Sequence, residues 1–284
     1  MTFARRIVSE GLGTAFLLAV VVGSGIMAER LAGGNVALAL LANSVATGAG
    51  LVALILMFGT ISGAHFNPVV TLSEAWQNNM PLAEVAPYIA VQVLGAFAGV
   101  AAAHGMFDEP MFSASQHVRT GAGQWWSEFV ATFGLIAVII ACSRTRPHVT
   151  PFAVAAYITA AYWFTASTSF ANPAVTLARS ATDTFAGIRP GESAGFIAAQ
   201  FLGAGAATMV FGWLYPPAPP GATIGGTVAP GDFAAAPLQP YAGLVGGAGQ
   251  VSAAVAAQGT WRAAVSAADG CALSPGNGIS LDNK

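Results

Sequence analysis

Charge is scarce in this chain: 8% of its 284 residues are Asp, Glu, Lys or Arg, against about 25% in soluble domains. The few charges nearly balance, at a net of −2, and no basic cluster is present. That excludes the electrostatic footprint of a nucleic-acid partner. Cysteine is nearly absent. Its two copies lie inside an apolar run (Cys142) and in the C-terminal tail (Cys271), which suggests neither a disulfide framework nor a metal site. His104, His117 and His148 have no metal-ligand spacing and are read as interfacial or loop residues. No nucleophile–base pair, phosphate loop or cofactor box is visible, so neither an enzyme nor a cofactor is indicated.

Apolar residues make up 55% of the chain, with 34 glycines among all residues. Uncharged runs cover 11–28, 31–64, 85–107 and 149–178, and another starts at Ser193. A membrane span needs about 20 apolar residues, so the expected class is an integral membrane protein with the lipid bilayer as its surroundings. The stretch behind Arg5 and Arg6 has the outline of a signal peptide. Glu10 opens it, however, and its counterpart lies deep in the chain, so it is read as a first span, about 10–28. The run 31–64 is too long for one span. It reads as a second span near 36–58, then a loop that dips back into the membrane, turns at Asn67 and starts a short helix at Pro68. A third span follows at about 84–106, with Gly95 and Gly99 spaced for close helix contact.

The second half replays this order. Ser127-Glu128-x-x-x-Thr132 repeats Ser9-Glu10-x-x-x-Thr14, and Gln200-Phe-Leu-Gly-Ala repeats Gln92-Val-Leu-Gly-Ala. Asn172-Pro173-Ala174-Val175-Thr176-Leu177 repeats Asn67-Pro68-Val69-Val70-Thr71-Leu72. Three spans per half is an odd number, so the second half inserts upside down relative to the first. The expected fold is an all-α membrane protein of six transmembrane helices plus two re-entrant half-helices in an inverted 3+3 repeat. Residues 1–215 form the channel domain, with repeats at about 7–106 and 125–215. The Ala/Gly/Pro-rich stretch 216–284 reads as a disordered tail. Arg5, Arg6, Arg144 and Arg146 fall on one side, against Arg30, Arg119 and Arg189 on the other, which points both termini to the cytoplasm.

At each Asn-Pro, asparagine is a favoured N-cap and proline suits the first helical position. Irregular backbone at the midplane is tolerated only when packed in protein or lining a wet cavity. Asn67 and Asn172 are therefore read as pore-lining, each accepting a backbone N–H and leaving its amide NH2 free for a neutral hydroxylated solute. The alternative is that they only cap helices.

These features resemble the aquaporin and aquaglyceroporin (major intrinsic protein) family over about residues 7–215, through the Ser-Gly-x-His-x-Asn-Pro segment at 62–68 and the boxes at 67–69 and 172–174. The resemblance implies a homotetramer with one pore per protomer. It implies that Glu10 and Glu128 brace the re-entrant loops, and that His65 lies near the cytoplasmic vestibule. The family's constriction positions fall, by its usual offsets, on Thr47, Ala160, Ser169 and Val175. Val175 stands where most members carry arginine, which implies a wide, weakly polar aperture. The variant Asn-Pro-Ala-Val-Thr-Leu-Ala-Arg-Ser resembles the bacterial branch associated with arsenic resistance. The implied partners are small neutral solutes: metalloid hydroxides such as arsenous acid, glycerol-like polyols, and water. The implied location is the cell's inner membrane.

Arg179, one turn beyond Val175, is read either as the missing filter charge displaced outward or as half of a surface pair with Asp183 at i+4. A passive channel is the leading expectation. An ion-coupled secondary transporter shares inverted repeats and broken helices, and a structural membrane protein with a closed pore is the third reading.

Overall fold

The computed structural model describes residues 1–216 and is helical, with no strand among the described residues. The expected tail lies outside the described residues apart from Pro216. Eight α-helices follow in order: α1 (Phe3–Leu31), α2 (Val36–Ser62), α3 (Pro68–Trp76), α4 (Leu82–Phe107), α5 (Ala122–Thr145), α6 (Thr150–Phe164), α7 (Pro173–Arg179) and α8 (Ser193–Leu214). By length and apolarity α1, α2, α4, α5 and α8 can each cross a membrane. The sixth crossing, α6, has 15 residues, or about 22 Å at 1.5 Å per residue. A 3-10 turn, Pro147–Val149, precedes it and adds about 6 Å.

Most helices extend beyond the apolar windows that announce them, because hydrogen bonding carries a helix past the bilayer core until a cap stops it. Thr2 and Asn35 cap α1 and α2 through their side chains. At its other end α2 stops at Gly63, whose φ of +91° suits glycine. Asp108 ends α4 in the same left-handed region.

The halves pack alike. α1 lies against α4 and α5 against α8, each pair brought together at a glycine. A Cβ on Gly95 would sit 2.3 Å from the Gly11 carbonyl, and one on Gly203 would sit 2.4 Å from the Phe129 carbonyl. Gly99 adds a second close approach in the first half, 2.2 Å from the Ala15 carbonyl, where the second half has buried Ala207. Outward, the bundle shows Phe16, Leu56, Leu94, Leu202 and Trp213, all exposed. Inward, it buries Glu10, Glu128, Gln92, Gln200, Asn67 and Asn172. This inside-out polarity suits a protein solvated by hydrocarbon around a polar centre.

Candidate functional site

Two non-helical loops, 63–67 and 165–172, carry the chain to α3 and α7. Each holds non-glycine residues in the left-handed region: Ala64 and Phe66 in the first, Thr168, Ser169 and Ala171 in the second, all with φ of 49–61°. Such residues cost about 1–3 kcal/mol each and persist where surroundings over-determine them. The surroundings are two buried carboxylates. Glu10 accepts from the backbone N–H groups of His65 (2.9 Å) and Phe66 (2.7 Å), from Ser62 Oγ (2.7 Å) and from Gln92 Nε2 (2.8 Å). Glu128 accepts from the N–H groups of Phe170 and Ala171, both 2.8 Å, and from Gln200 Nε2 at 2.6 Å. Successive N–H groups turned inward make an anion-binding nest, and a carboxylate on a neighbouring helix fills each one.

The loops meet at the two asparagines. Asn67 Oδ1 caps α3 by accepting from the Val69 N–H at 3.1 Å, and Asn172 Oδ1 caps α7 by accepting from Ala174 and Val175 at 3.0 and 3.2 Å. Their amide groups cross over: Asn67 Nδ2 donates to the Ala171 carbonyl and Asn172 Nδ2 to the Phe66 carbonyl, both 2.8 Å. The sequence expectation of wholly free NH2 groups is therefore corrected. One hydrogen of each amide ties the half-helices together, because the left-handed turns aim a carbonyl at the opposing asparagine. The other hydrogen remains for the cavity that both residues line.

That cavity, about 270 Å³, follows one face of each surrounding helix. Its walls step by whole turns, with Thr47, Leu51 and Ile55 from α2, Leu135, Ile139 and Ser143 from α5, and Thr150, Val154, Ile158 and Tyr162 from α6. Spacing of four residues keeps a helix on one face. The half-helices line it in matched sets: Asn67, Val70 and Glu74 from α3, and Asn172, Val175 and Arg179 from α7. The loops add His65, Ser169 and Phe170 among others, and α1 adds Leu17 and Val21.

Ala160 is not among these residues. It is exposed on the outside of α6, while Ile158 and Tyr162 face the cavity. Counting back from Asn172 passes through the non-helical connection 165–171, whose length does not conserve a helical register. Two residues' difference turns the face by about 200° at 3.6 residues per turn. Tyr162 Oη instead meets Thr47 Oγ1 at 3.1 Å, and Ser169 Oγ is buried with no protein partner among the described residues.

Arg179 is 2% exposed, and the expected pair with Asp183 is absent. α7 ends at Arg179, so i+4 geometry lapses there, and Asp183 Oδ1 accepts from the Gln116 N–H at 2.8 Å instead. Arg179 Nε donates to the Ala186 carbonyl, and its guanidinium lies 3.4 Å from the Phe170 ring centroid. A second arginine, Arg119, lies 5.2 Å from the same ring. Sequence reading used Arg119 only to count charge on one face. Neither guanidinium forms an ion pair among the described residues. Nearby, burial and the positive charges of Arg119 and Arg179 hold the His117 imidazole below its ordinary value, so it adds no charge at neutral pH. His104 is also corrected: it is fully buried in α4, its ring nitrogens at 2.8 Å from the Met111 carbonyl and 2.7 Å from Thr182 Oγ1. There it links the α4–α5 connection to the segment after α7.

Residues 1–162 match the family described as major intrinsic protein. Aquaglyceroporin AqpS of Rhizobium meliloti (strain 1021) is 56% identical over 216 residues, 76% of this chain and 92% of that one. Aquaporin NIP3-1 of Oryza sativa subsp. japonica is 31% identical over 145 residues, 50% of this chain and 45% of its own length. The X-ray structure of the aquaglyceroporin from Plasmodium falciparum shares the fold with a TM-score of 0.56 and 21% identity, covering 75% of this chain and 96% of that one. With paired asparagine-capped half-helices lining one cavity, and with a family match over more than half its length, this chain belongs to the major intrinsic protein family.

Proposed function

We propose that the protein is a passive transmembrane channel for small uncharged solutes: glycerol-like polyols, metalloid hydroxides such as arsenous acid, and water. The observation that carries this reading is the composition of the cavity wall. Aliphatic side chains line most of it in whole-turn steps, while Asn67, Asn172, Ser169, Thr47 and Tyr162 supply hydrogen-bonding groups. A hydroxylated solute can exchange water for those groups while its carbon or metalloid face slides on the apolar wall. The solute passes unchanged, with no cofactor.

Selection falls at the mouth where Thr47, Tyr162, Ser169, Val175 and Arg179 converge. Val175 leaves room beside α7, and Arg179 supplies a fixed positive charge one turn further out, which repels cations where the pore is wider. The relative named AqpS is an aquaglyceroporin, which supports a solute range reaching beyond water. Glu10 and Glu128 act as braces for the loops, and His65 and Glu74 line the opposite vestibule. The protein works as a homotetramer in the inner membrane with both termini cytoplasmic. The mouth bearing Arg179 is then external.

The test is stopped-flow swelling of proteoliposomes with water, glycerol, urea and arsenous acid, each with and without proton or sodium gradients. Glycerol and arsenous acid flux well above empty liposomes, and indifferent to the gradients, is expected. Gradient-dependent uptake would establish an ion-coupled transporter, and flux equal to empty liposomes a closed pore.

A further inference from the structure

The two halves differ in what holds the serine that leads into each half-helix, Ser62 at the end of α2 and Ser167 in the second loop. In the first half the Ser62 carbonyl accepts from Tyr88 Oη at 3.1 Å, and Arg6 Nε donates to Tyr88 Oη at 2.9 Å. The Tyr88 ring lies against His65, with centroids 5.5 Å apart. In the second loop Phe170 and Phe196 take the places of His65 and Tyr88 in the repeat, with centroids 5.2 Å apart. Phe196 brings no hydroxyl, so the Ser167 carbonyl loses the donor that its counterpart enjoys. Arg119 Nη1 supplies it instead, at 3.3 Å, and lies 3.4 Å from Thr168 Oγ1.

The rest of the Arg119 fork reaches the segment after α7. Nε donates to the Gly187 carbonyl at 2.8 Å and Nη2 to the Phe185 carbonyl at 3.4 Å. Between those two lies the Ala186 carbonyl, the acceptor of Arg179 Nε. Two arginines thus hold three consecutive carbonyls and share one aromatic ring. Arg119 itself is pinned from outside, through its backbone N–H to Glu192 and through Arg189 N–H to the His117 carbonyl at 2.8 Å.

We propose that Arg119, carried on the connection between α4 and α5, is a positioning residue for the selective mouth. Its guanidinium stands in for the hydroxyl missing at Phe196 and fixes where Arg179 and Ser169 sit. This rests on the channel reading above. The role needs a planar fork with several donors in fixed directions, which lysine does not have. The connection 108–121 is therefore part of the filter.

The experiment compares Arg119→Met, Arg119→Lys and Arg119→Met/Phe196→Tyr in proteoliposomes, reading potassium leak relative to glycerol flux. Arg119→Met and Arg119→Lys should each raise that ratio by about tenfold, the change in population that losing a charge-assisted hydrogen bond produces. Adding Phe196→Tyr should return the ratio most of the way, because the tyrosine restores the donor found in the first half. An unchanged ratio in Arg119→Met, full rescue by lysine, or no recovery in the double variant overturns the proposal. Wild-type protein that passes no glycerol overturns the channel reading instead, and positioning is then read without flux. Ser169→Cys, in a Cys142→Ser/Cys271→Ser background, should react about tenfold faster with a neutral maleimide when Arg119→Met is added. An unchanged labelling rate overturns the proposal on its own.

Discussion

At one mouth of the cavity α3 carries Glu74 in its last turn, and at the other α7 ends in Arg179, although the two helices start from the same Asn-Pro and place Val70 and Val175 at the same step. Glu74 is half-buried and takes a hydrogen bond from Asn79 Nδ2 at 2.7 Å, within its own turn. Arg179 is buried, stacked on Phe170 and bonded to a carbonyl that follows the helix. The first mouth has Arg6 on the rim, spent on Tyr88 and on an ion pair with Glu84 at 2.7 Å. The second has Arg119 buried behind it, against the Phe170 ring and the Ser167 carbonyl. An inverted repeat thus keeps the frame of the pore and varies the two ends independently. The frame is made of carboxylates filling backbone nests, crossed asparagines and glycine contacts, none of which faces the solute as a charge. The ends are where charge is placed.

The largest effect should come from breaking the frame. Glu10→Ala strands donors that served four bonds, and Glu128→Ala strands donors that served three. Each buried, unsatisfied donor costs about 1–3 kcal/mol. Both variants should lose most of their folded yield by size-exclusion chromatography, Glu10→Ala the more. A well-folded Glu128→Ala whose uptake instead loses its pH dependence would make that carboxylate a proton relay rather than a brace.

Overpacking the helix contacts should come next. Gly95→Val and Gly203→Val place side-chain atoms where a carbonyl already sits, at about 1–3 kcal/mol each. Thermal unfolding should show matched losses for the pair. A loss confined to one half would mean that the repeat is symmetric in backbone only.

Val175→Arg should be well tolerated in folding, since its position lines the cavity, and should reduce glycerol and arsenous acid flux far more than water flux. Equal reduction of all three would remove Val175 from size selection. Val70→Ala, on the opposite side of the asparagines, should leave the glycerol-to-water ratio close to wild type.

The frame was largely legible in the sequence because it rests on local rules and on repetition. Charge scarcity marked the membrane and Asn-Pro marked the helix starts, while the bracing by Glu10 and Glu128 came from the family resemblance and the crossing of the two asparagine amides was not foreseen. The ends were harder to read. The face of α6 was misplaced because 165–171 is not helical, so Ala160 was offered where Tyr162 stands. Arg179 was given the wrong partner because its helix stops before Asp183, and its true acceptor, the Ala186 carbonyl, follows a turn that no pattern encodes. Arg119 reaches the Ser167, Phe185 and Gly187 carbonyls from a connection without periodicity. One signal did point to it: the repeat pairs Tyr88 with Phe196, so a hydroxyl present in one half is missing from the other.

The unequal division of charge between the mouths is tested most directly by cation conductance of Arg179→Gln and Glu74→Gln, measured beside glycerol flux in the same proteoliposomes. Arg179→Gln should raise potassium conductance well above wild type while glycerol flux is retained, and Glu74→Gln should leave both near wild type. A raised conductance in Glu74→Gln, or an unchanged one in a well-folded Arg179→Gln, would contradict the placement of the selective charge on α7.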